Sequence, residues 1–179
     1  MTVVLVGANP GLLLRHDGAA VAFASVWLVD WSTAGRGSAL VLCHERRTRV
    51  YGSDERLCRW LVDEFTQHFP ESVGTGGELE YLDTAVKIDI DLGRGMRAVA
   101  ASVVVEMSQP MDWRRFRAER VELAGNAYEL SNVFVPCSSG SMTVDGEQLL
   151  GEPTVSKEGG RPTSSAFLAV AEVWSSTTP

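Results

Sequence analysis

Along much of this chain, apolar positions either alternate with polar ones or run together in blocks of strand length. Leu12–Arg15, Ala19–Val29, Leu40–His44 and Thr48–Tyr51 are such blocks, each bounded by turn-forming residues, and they predict short β-strands. Asp17-Gly18, between the first two, marks a tight turn, because glycine enters positive φ without a Cβ clash. Trp31–Ser38, with Gly35 and Gly37, reads as a loop. One stretch has a different period. In SDERLCRWLVDEFTQHF, residues 53–69, Leu57, Leu61 and Phe65 recur at every fourth position, with Cys58, Val62 and Phe69 beside them. That spacing predicts one amphipathic helix over about 54–69. Ser53 is placed to cap it, and Asp54 and Glu55 suit the positive end of the helix dipole. Pro70 is expected to end it, before the glycine-rich ESVGTGGE.

The remainder reads as β. Leu79–Leu92 alternates, with Val86, Ile88, Ile90 and Leu92 on one face and Lys87, Asp89 and Asp91 on the other. Ala98–Met107 is a run rich in β-branched residues. Ser108–Arg115, which contains Pro110, is expected to turn. Arg117–Leu123 and Tyr128–Pro136 are strands joined at Ala124-Gly125-Asn126, and Ser141–Val144 and Gln148–Leu150 flank a second tight turn at Asp145-Gly146. Glu158–Pro162 reads as a loop, Ser165–Trp174 as the last strand, and SSTTP as a frayed tail. The pattern predicts a mainly β (α+β) single domain over residues 1–179. Its frame is a curved or closed antiparallel β-barrel-like sheet of about 8–10 strands, with the helix over one face or one mouth, since long strands curl and closure removes exposed edges.

Composition narrows the classes of function. The 179 residues suit one domain with a sizeable core. A net charge of −7 argues against tracking nucleic-acid phosphates, which takes clustered Lys and Arg. The densest basic run, Arg114-Arg115-x-Arg117 with Arg120, lies among acidic neighbours and reads as a solvated face. No segment approaches the roughly 18 apolar residues of a membrane span. MTVVLVGANPG lacks the basic start of a signal peptide. The three cysteines, Cys43, Cys58 and Cys137, form no C-x-x-C, so reduced thiols in a cytoplasmic protein are expected. The abundance of Ala, Gly, Val and Arg fits a GC-rich bacterial genome.

Several motifs bear on chemistry. Gly93-Arg94-Gly95-Met96-Arg97-Ala98 matches G-x-G-x-x-A in form. A dinucleotide fingerprint needs a helix after the glycines and an acidic residue roughly 20 residues on. Val99 and Val103–Val105 favour a strand instead, and Glu106 arrives too early, so the glycines are expected to turn a hairpin. Asp89 and Asp91 share a strand face about 6.5–7 Å apart. With Asp83 and Lys87 on the same face, they offer an acid–base pair if that face is a barrel interior. Carboxylates within apolar strands, Glu106, Glu122 and Glu172, gain the same potential only if they are enclosed. Cys137, in VPCSSGSM, lacks a nucleophile-elbow frame and reads as a buried structural thiol. His44-Glu45-Arg46-Arg47-Thr48 misses H-E-x-x-H at its last position, and no metal site or cofactor is expected. The five tryptophans are many for this length. Trp60 belongs to the helix and the core. Trp31, Trp113, Tyr81 and Tyr128 fall in turns or at strand starts, where aromatics can line a barrel mouth around a flat organic ligand.

In overall plan, tightly turned strands around one helix, the chain resembles the small calycin-type barrels, a class that includes lipocalins and several cyclases and isomerases of bacterial specialised metabolism. The resemblance is to a fold and transfers no catalytic residue. It implies a cavity for a small apolar organic ligand. The leading expectation is a cofactor-independent cyclase or isomerase, with Asp89 and Glu106 as acid–base groups and Trp31, Trp113, Tyr128 and Tyr81 as cavity walls. A binding or carrier protein with the same cavity and no chemistry is the alternative. An interaction module whose aromatics form a homodimer interface is the third reading.

Overall fold

The computed structural model describes residues 1–175. Its strands are β1 (Thr2–Ala8), β2 (Gly11–His16), β3 (Ala19–Ser32), β4 (Gly37–His44) and β5 (Arg47–Gly52), followed by helix α1 (Glu55–Glu64), then β6 (Glu78–Asp83), β7 (Val86–Asp91), β8 (Gly95–Ala100), β9 (Val103–Pro110), β10 (Arg114–Leu123), β11 (Asn126–Val144), β12 (Glu147–Gln148), β13 (Val155–Glu158), β14 (Arg161–Ser164) and β15 (Ala166–Ser175). The protein is mainly β, with 67% of residues in strands and 9% helical, so the predicted class holds.

Thirteen strands share one sheet, with the path β6-β5-β4-β3-β1-β15-β11-β9-β8-β7; β2 bridges β3 and β15, and β10 and β12 lie on β11. β13 and β14 pair with each other as a separate hairpin. Neighbours pair antiparallel except β5 with β6, which run parallel. That parallel pair spans α1, as a crossover connection requires. The ends of the path, β6 and β7, are consecutive in sequence and separated only by Thr84 and Ala85. The sheet therefore curls back toward its own start. No ladder joins β6 to β7 among the described residues, so the sheet is large and curved but not a closed barrel.

β11 makes this curvature possible. Over its 19 residues it pairs first with β15, from Tyr128 to Pro136, then with β9, from Cys137 to Val144. It thus passes from one half of the sheet to the other. The two halves face each other across a core that includes Leu14, Ala24, Leu40, Ala98, Val105 and Met142. The volume that a barrel would reserve for a ligand is occupied here by side chains packed in the ordinary way. A second core lies on the outer face of β3–β5, where α1 packs with Leu57 and Leu61 against Phe23, Val41 and Val50. β3 is buried on both faces, Ala22, Ala24 and Val26 toward one core and Phe23, Trp27 and Val29 toward the other. That explains its continuous apolar run.

Several boundaries move. MTVVLVGA, read only as a weak leader, is β1, wedged between β3 and β15. Leu79–Leu92 breaks at Thr84-Ala85 into β6 and β7, the two opposite ends of the sheet. Ala98–Met107 is not one strand: Ala101, at φ 49°, and Ser102 turn it into the β8–β9 hairpin. Glu158–Pro162 is likewise a hairpin, turned by Gly159-Gly160. Trp31 falls within β3 and Ser108–Pro110 within β9, not in loops. Gly93-Arg94-Gly95 does turn a hairpin, β7 to β8, as the β-branched residues after it required. In α1, Asp54 and not Ser53 is the N-cap, accepting from the Leu57 amide at 3.1 Å. The helix ends at Phe65 (φ −129°, ψ −71°), and the chain continues in two 3₁₀ turns, Thr66–His68 and Pro70–Ser72. Of the SSTTP tail, residues 176–179 lie outside the described residues.

Candidate functional site

The early end of α1 leaves the outer face of β1, β15, β11 and β10 only partly covered. A cleft of about 320 Å³ lies between that face and the segment Phe65–Glu71. Strand periodicity supplies its floor. Phe167, Ala169, Ala171 and Val173 alternate along β15, and Tyr128, Leu130 and Asn132 do so along the neighbouring β11. Small side chains create the space. In the ladder, Gly7, Ala171 and Asn132 stand in one row across three strands. Gly7 is demanded locally as well, since a Cβ there would run into the Leu28 carbonyl oxygen.

Aromatic rings form the inner end. Trp27 stacks on Phe69 with ring centroids 6.3 Å apart and lies 5.6 Å from Phe65, whose ring is 5.7 Å from that of Tyr128. These separations fall in the range of favourable ring pairs. The polar tips are held from behind. The Trp27 indole N–H donates to Thr66 Oγ1 at 3.1 Å, and the Tyr128 hydroxyl donates to Glu64 Oε2 at 3.1 Å. Burial, then the bond to the Glu64 carboxylate, raises the Tyr128 pKa above that of a free phenol. Asn9 Nδ2 donates to Ser25 Oγ and to the Val26 carbonyl, both at 2.9 Å. Asn132 is different: its Oδ1 is buried at the cleft and has no hydrogen-bond partner. Among the described residues, Glu71 is the only charged one in the lining.

Of the residues expected from sequence, Tyr128 alone lines this cleft. Trp31 and Trp113 are each 48% exposed. Trp113 carries the Arg115 guanidinium 5.0 Å from its ring centre. Tyr81 packs against the second core, donating its hydroxyl to the Gly52 carbonyl at 2.8 Å. Asp89 and Glu106 are exposed on the outward face of the β7–β9 half, on either side of Arg97. Arg97 bonds Glu106 at 3.0 Å. The two carboxylates are cross-strand neighbours of one cation, in water. The three cysteines are free and buried; burial pushes the thiols of Cys58 and Cys137 up to about 11, and raises that of Cys43. Among the described residues no group of three or more His, Cys, Asp or Glu is arranged to hold a metal ion. No helix among them is long and apolar enough to cross a membrane.

Sequence reasoning passed over Phe65, Phe69, Phe167, Asn132 and Glu71. One signal was readable: FLAVAEV, residues 167–173, alternates a large ring with small alanines on a single face. A face that small suggests a strand left uncovered or covered loosely. No family model, curated protein or solved structure matches the chain.

Proposed function

We propose that this protein binds a small, mostly apolar molecule in the cleft between Phe65–Glu71 and the outer sheet face. The observation that carries the reading is an unfilled cleft of about 320 Å³ walled almost wholly by apolar side chains, with Asn9, Asn132 and Glu71 as its few strongly polar residues. That volume sits at the lower end of the range for small-molecule sites. Apolar walls with few polar groups are the usual composition of such sites. The ligand would gain about 25 cal/mol for each Å² of its apolar surface removed from water, less the cost of immobilising it. Binding or carriage is the function this geometry supports best. The three buried, unpaired cysteines accord with a reducing, cytoplasmic setting.

The test uses N-phenyl-1-naphthylamine, an uncharged apolar fluorophore. Its emission is expected to rise saturably on adding the protein. Ala171→Phe, which fills the middle of the floor, is expected to weaken that binding at least tenfold while the circular-dichroism melt moves by only a few degrees. A flat titration, or equal affinity in the variant, would remove the cleft as the site.

A cofactor-independent cyclase or isomerase is the second reading, favoured by one observation: a carboxylate, Glu71, lines the apolar cleft. Proton transfer to a bound molecule would fall to Glu71, with Tyr128 and Trp27 holding the ligand's shape. Asp89 and Glu106 lie outside this cleft, exposed on the outward face of the β7–β9 half. Chemical conversion of a bound ligand that stops in Glu71→Gln would establish the enzyme reading over the carrier.

A further inference from the structure

We infer that the cleft receives uncharged molecules with a hydrogen-bond acceptor in mid-chain, of the ketone or ester kind, and that the side-chain amide NH2 of Asn132 is the group that holds it. The inference rests on the ligand-binding reading above and adds a chemical class and a point of attachment to it.

Three observations converge. First, Asn132 brings a donor to the cleft. Its Oδ1 is shut off from solvent, so the end of the side chain that reaches the open space is the amide NH2, and no hydrogen bond engages it among the described residues. The other side-chain donors of the lining are held: the Trp27 N–H by Thr66, the Tyr128 O–H by Glu64, and the Asn9 NH2 by Ser25 and the Val26 carbonyl. An amide NH2 donates and does not accept, so its complement on a ligand is an oxygen such as a carbonyl. A bare hydrocarbon would strip water from it and leave it unpaired, and that costs free energy. Second, the donor stands in the middle of the floor. In the ladder Asn132 lies across from Ala171, and Ala171 across from Gly7. Those two short residues leave room beside the amide. The next row toward Tyr128 is Leu5, Val173 and Leu130, and on the other side Ala169 and Phe167 continue the floor. Apolar surface thus flanks the donor in both directions along the strands, and a matching ligand carries its oxygen between two apolar arms. Third, among the described residues the lining has no Lys, Arg or His, and its one charged side chain is Glu71. A carboxylate also accepts hydrogen bonds, but on leaving water it needs several donors or a cation to replace its hydration. Here it would find one free amide and a like charge.

The test displaces N-phenyl-1-naphthylamine near pH 7.5 with four molecules of one chain length: 5-nonanone, 2-nonanone, dibutyl sulfide and nonanoate. Dibutyl sulfide has the shape of 5-nonanone, with a weakly accepting sulfur in place of the carbonyl. The mid-chain ketone is expected to bind several-fold more tightly than the sulfide and than 2-nonanone, and at least tenfold more tightly than nonanoate. In Asn132→Leu, 5-nonanone is expected to fall to the level of the sulfide, while the sulfide still binds. Near-UV circular dichroism checks that the variant keeps its packing. A second readout is the infrared carbonyl stretch of bound 5-nonanone. It is expected at lower wavenumber than in hexane with the wild-type protein, and close to the hexane value in Asn132→Leu. A ketone-to-sulfide ratio or a carbonyl stretch unchanged in Asn132→Leu would overturn the inference and leave the cleft in place. So would nonanoate binding as well as 5-nonanone, or a fluorophore that none of the four displaces. Failure of the fluorophore itself to bind would overturn the cleft reading first, and this inference with it.

Discussion

Tyr128 has two jobs that separate on substitution. Its ring is part of the cleft's aromatic end, and its hydroxyl ties β11 to Glu64 at the last turn of α1. Tyr128→Phe keeps the ring and removes a hydrogen bond to a half-buried carboxylate. Unfolding free energy in urea is expected to fall by roughly 1–2 kcal/mol, with N-phenyl-1-naphthylamine affinity within threefold of wild type. A variant as stable as wild type would show that the 3.1 Å contact contributes little. Tyr128 was legible because a ring at a strand start often stands over a cleft or a core edge. Asp89 and Glu106 were chosen by the same kind of argument, alternation within apolar strands. They proved to flank Arg97 in solvent. Alternation tells which residues share a face but not whether that face meets water or another layer. Asn132 carried no signal of its own, and Ala171 carried one only as part of the alternation in FLAVAEV. Their part depends on standing beside each other across two strands distant in sequence.

At the scale of elements, α1 shows how a small sequence difference decides a boundary. Ser53 and Asp54 are both capping residue types, and the backbone chose Asp54, which is extended at φ −120° and ψ 101°. Asp54→Ala is expected to lower stability by about 1 kcal/mol, and Ser53→Ala by less than about half of that, in parallel urea titrations. The reverse order would place the cap one residue earlier. The other end of α1 was misread for a physical reason. Leu57, Leu61, Phe65 and Phe69 keep a helical spacing in the sequence, but the backbone leaves the helix at Phe65 and the two last rings turn onto Trp27. Ring packing there outweighs one further turn of backbone hydrogen bonds. β11 is the converse case. Pro136 and the serines after it read as a stop, yet the strand runs on, because Pro136 sits where β11 leaves β15 and takes up β9. At such a changeover a missing N–H disturbs the ladder least.

At the scale of the molecule, stability is tied to pH through the buried thiols. Cys58 and Cys137 ordinarily titrate near 9.0 and are held protonated by burial to about 11. Because the folded pKa lies above the unfolded one, their contribution is complete below pH 9.0 and is lost between 9.0 and about 11, as the unfolded chain gains thiolates that the folded core refuses. Each shift corresponds to roughly 2–3 kcal/mol at its limit. Urea midpoints are expected to hold steady between about pH 7 and pH 8.5 and to drop steeply toward pH 10.5, with a shallower drop in Cys137→Ala. In the native protein near pH 8, none of the three thiols is expected to react with a water-soluble disulfide reagent until denaturant is added. Fast labelling without denaturant would contradict their burial.

The class of fold, most strand pairs joined by tight turns, and the single helix were determined by the sequence alone. They depend on interactions between near neighbours: side-chain period, Asp-Gly turns, a capping carboxylate. The location of the open space was decided only by the tertiary structure. Local pattern made the sheet's interior the natural place for a ligand, yet packing closed it with Leu40, Val105 and Met142 from strands far apart in sequence. The cleft formed outside instead, where a helix that ends at Phe65 is too short to cover β15 and β11. Whether a face is filled or empty depends on the length and angle of whatever packs across it, and residues brought together over more than a hundred positions of chain leave no periodic trace of that in the sequence.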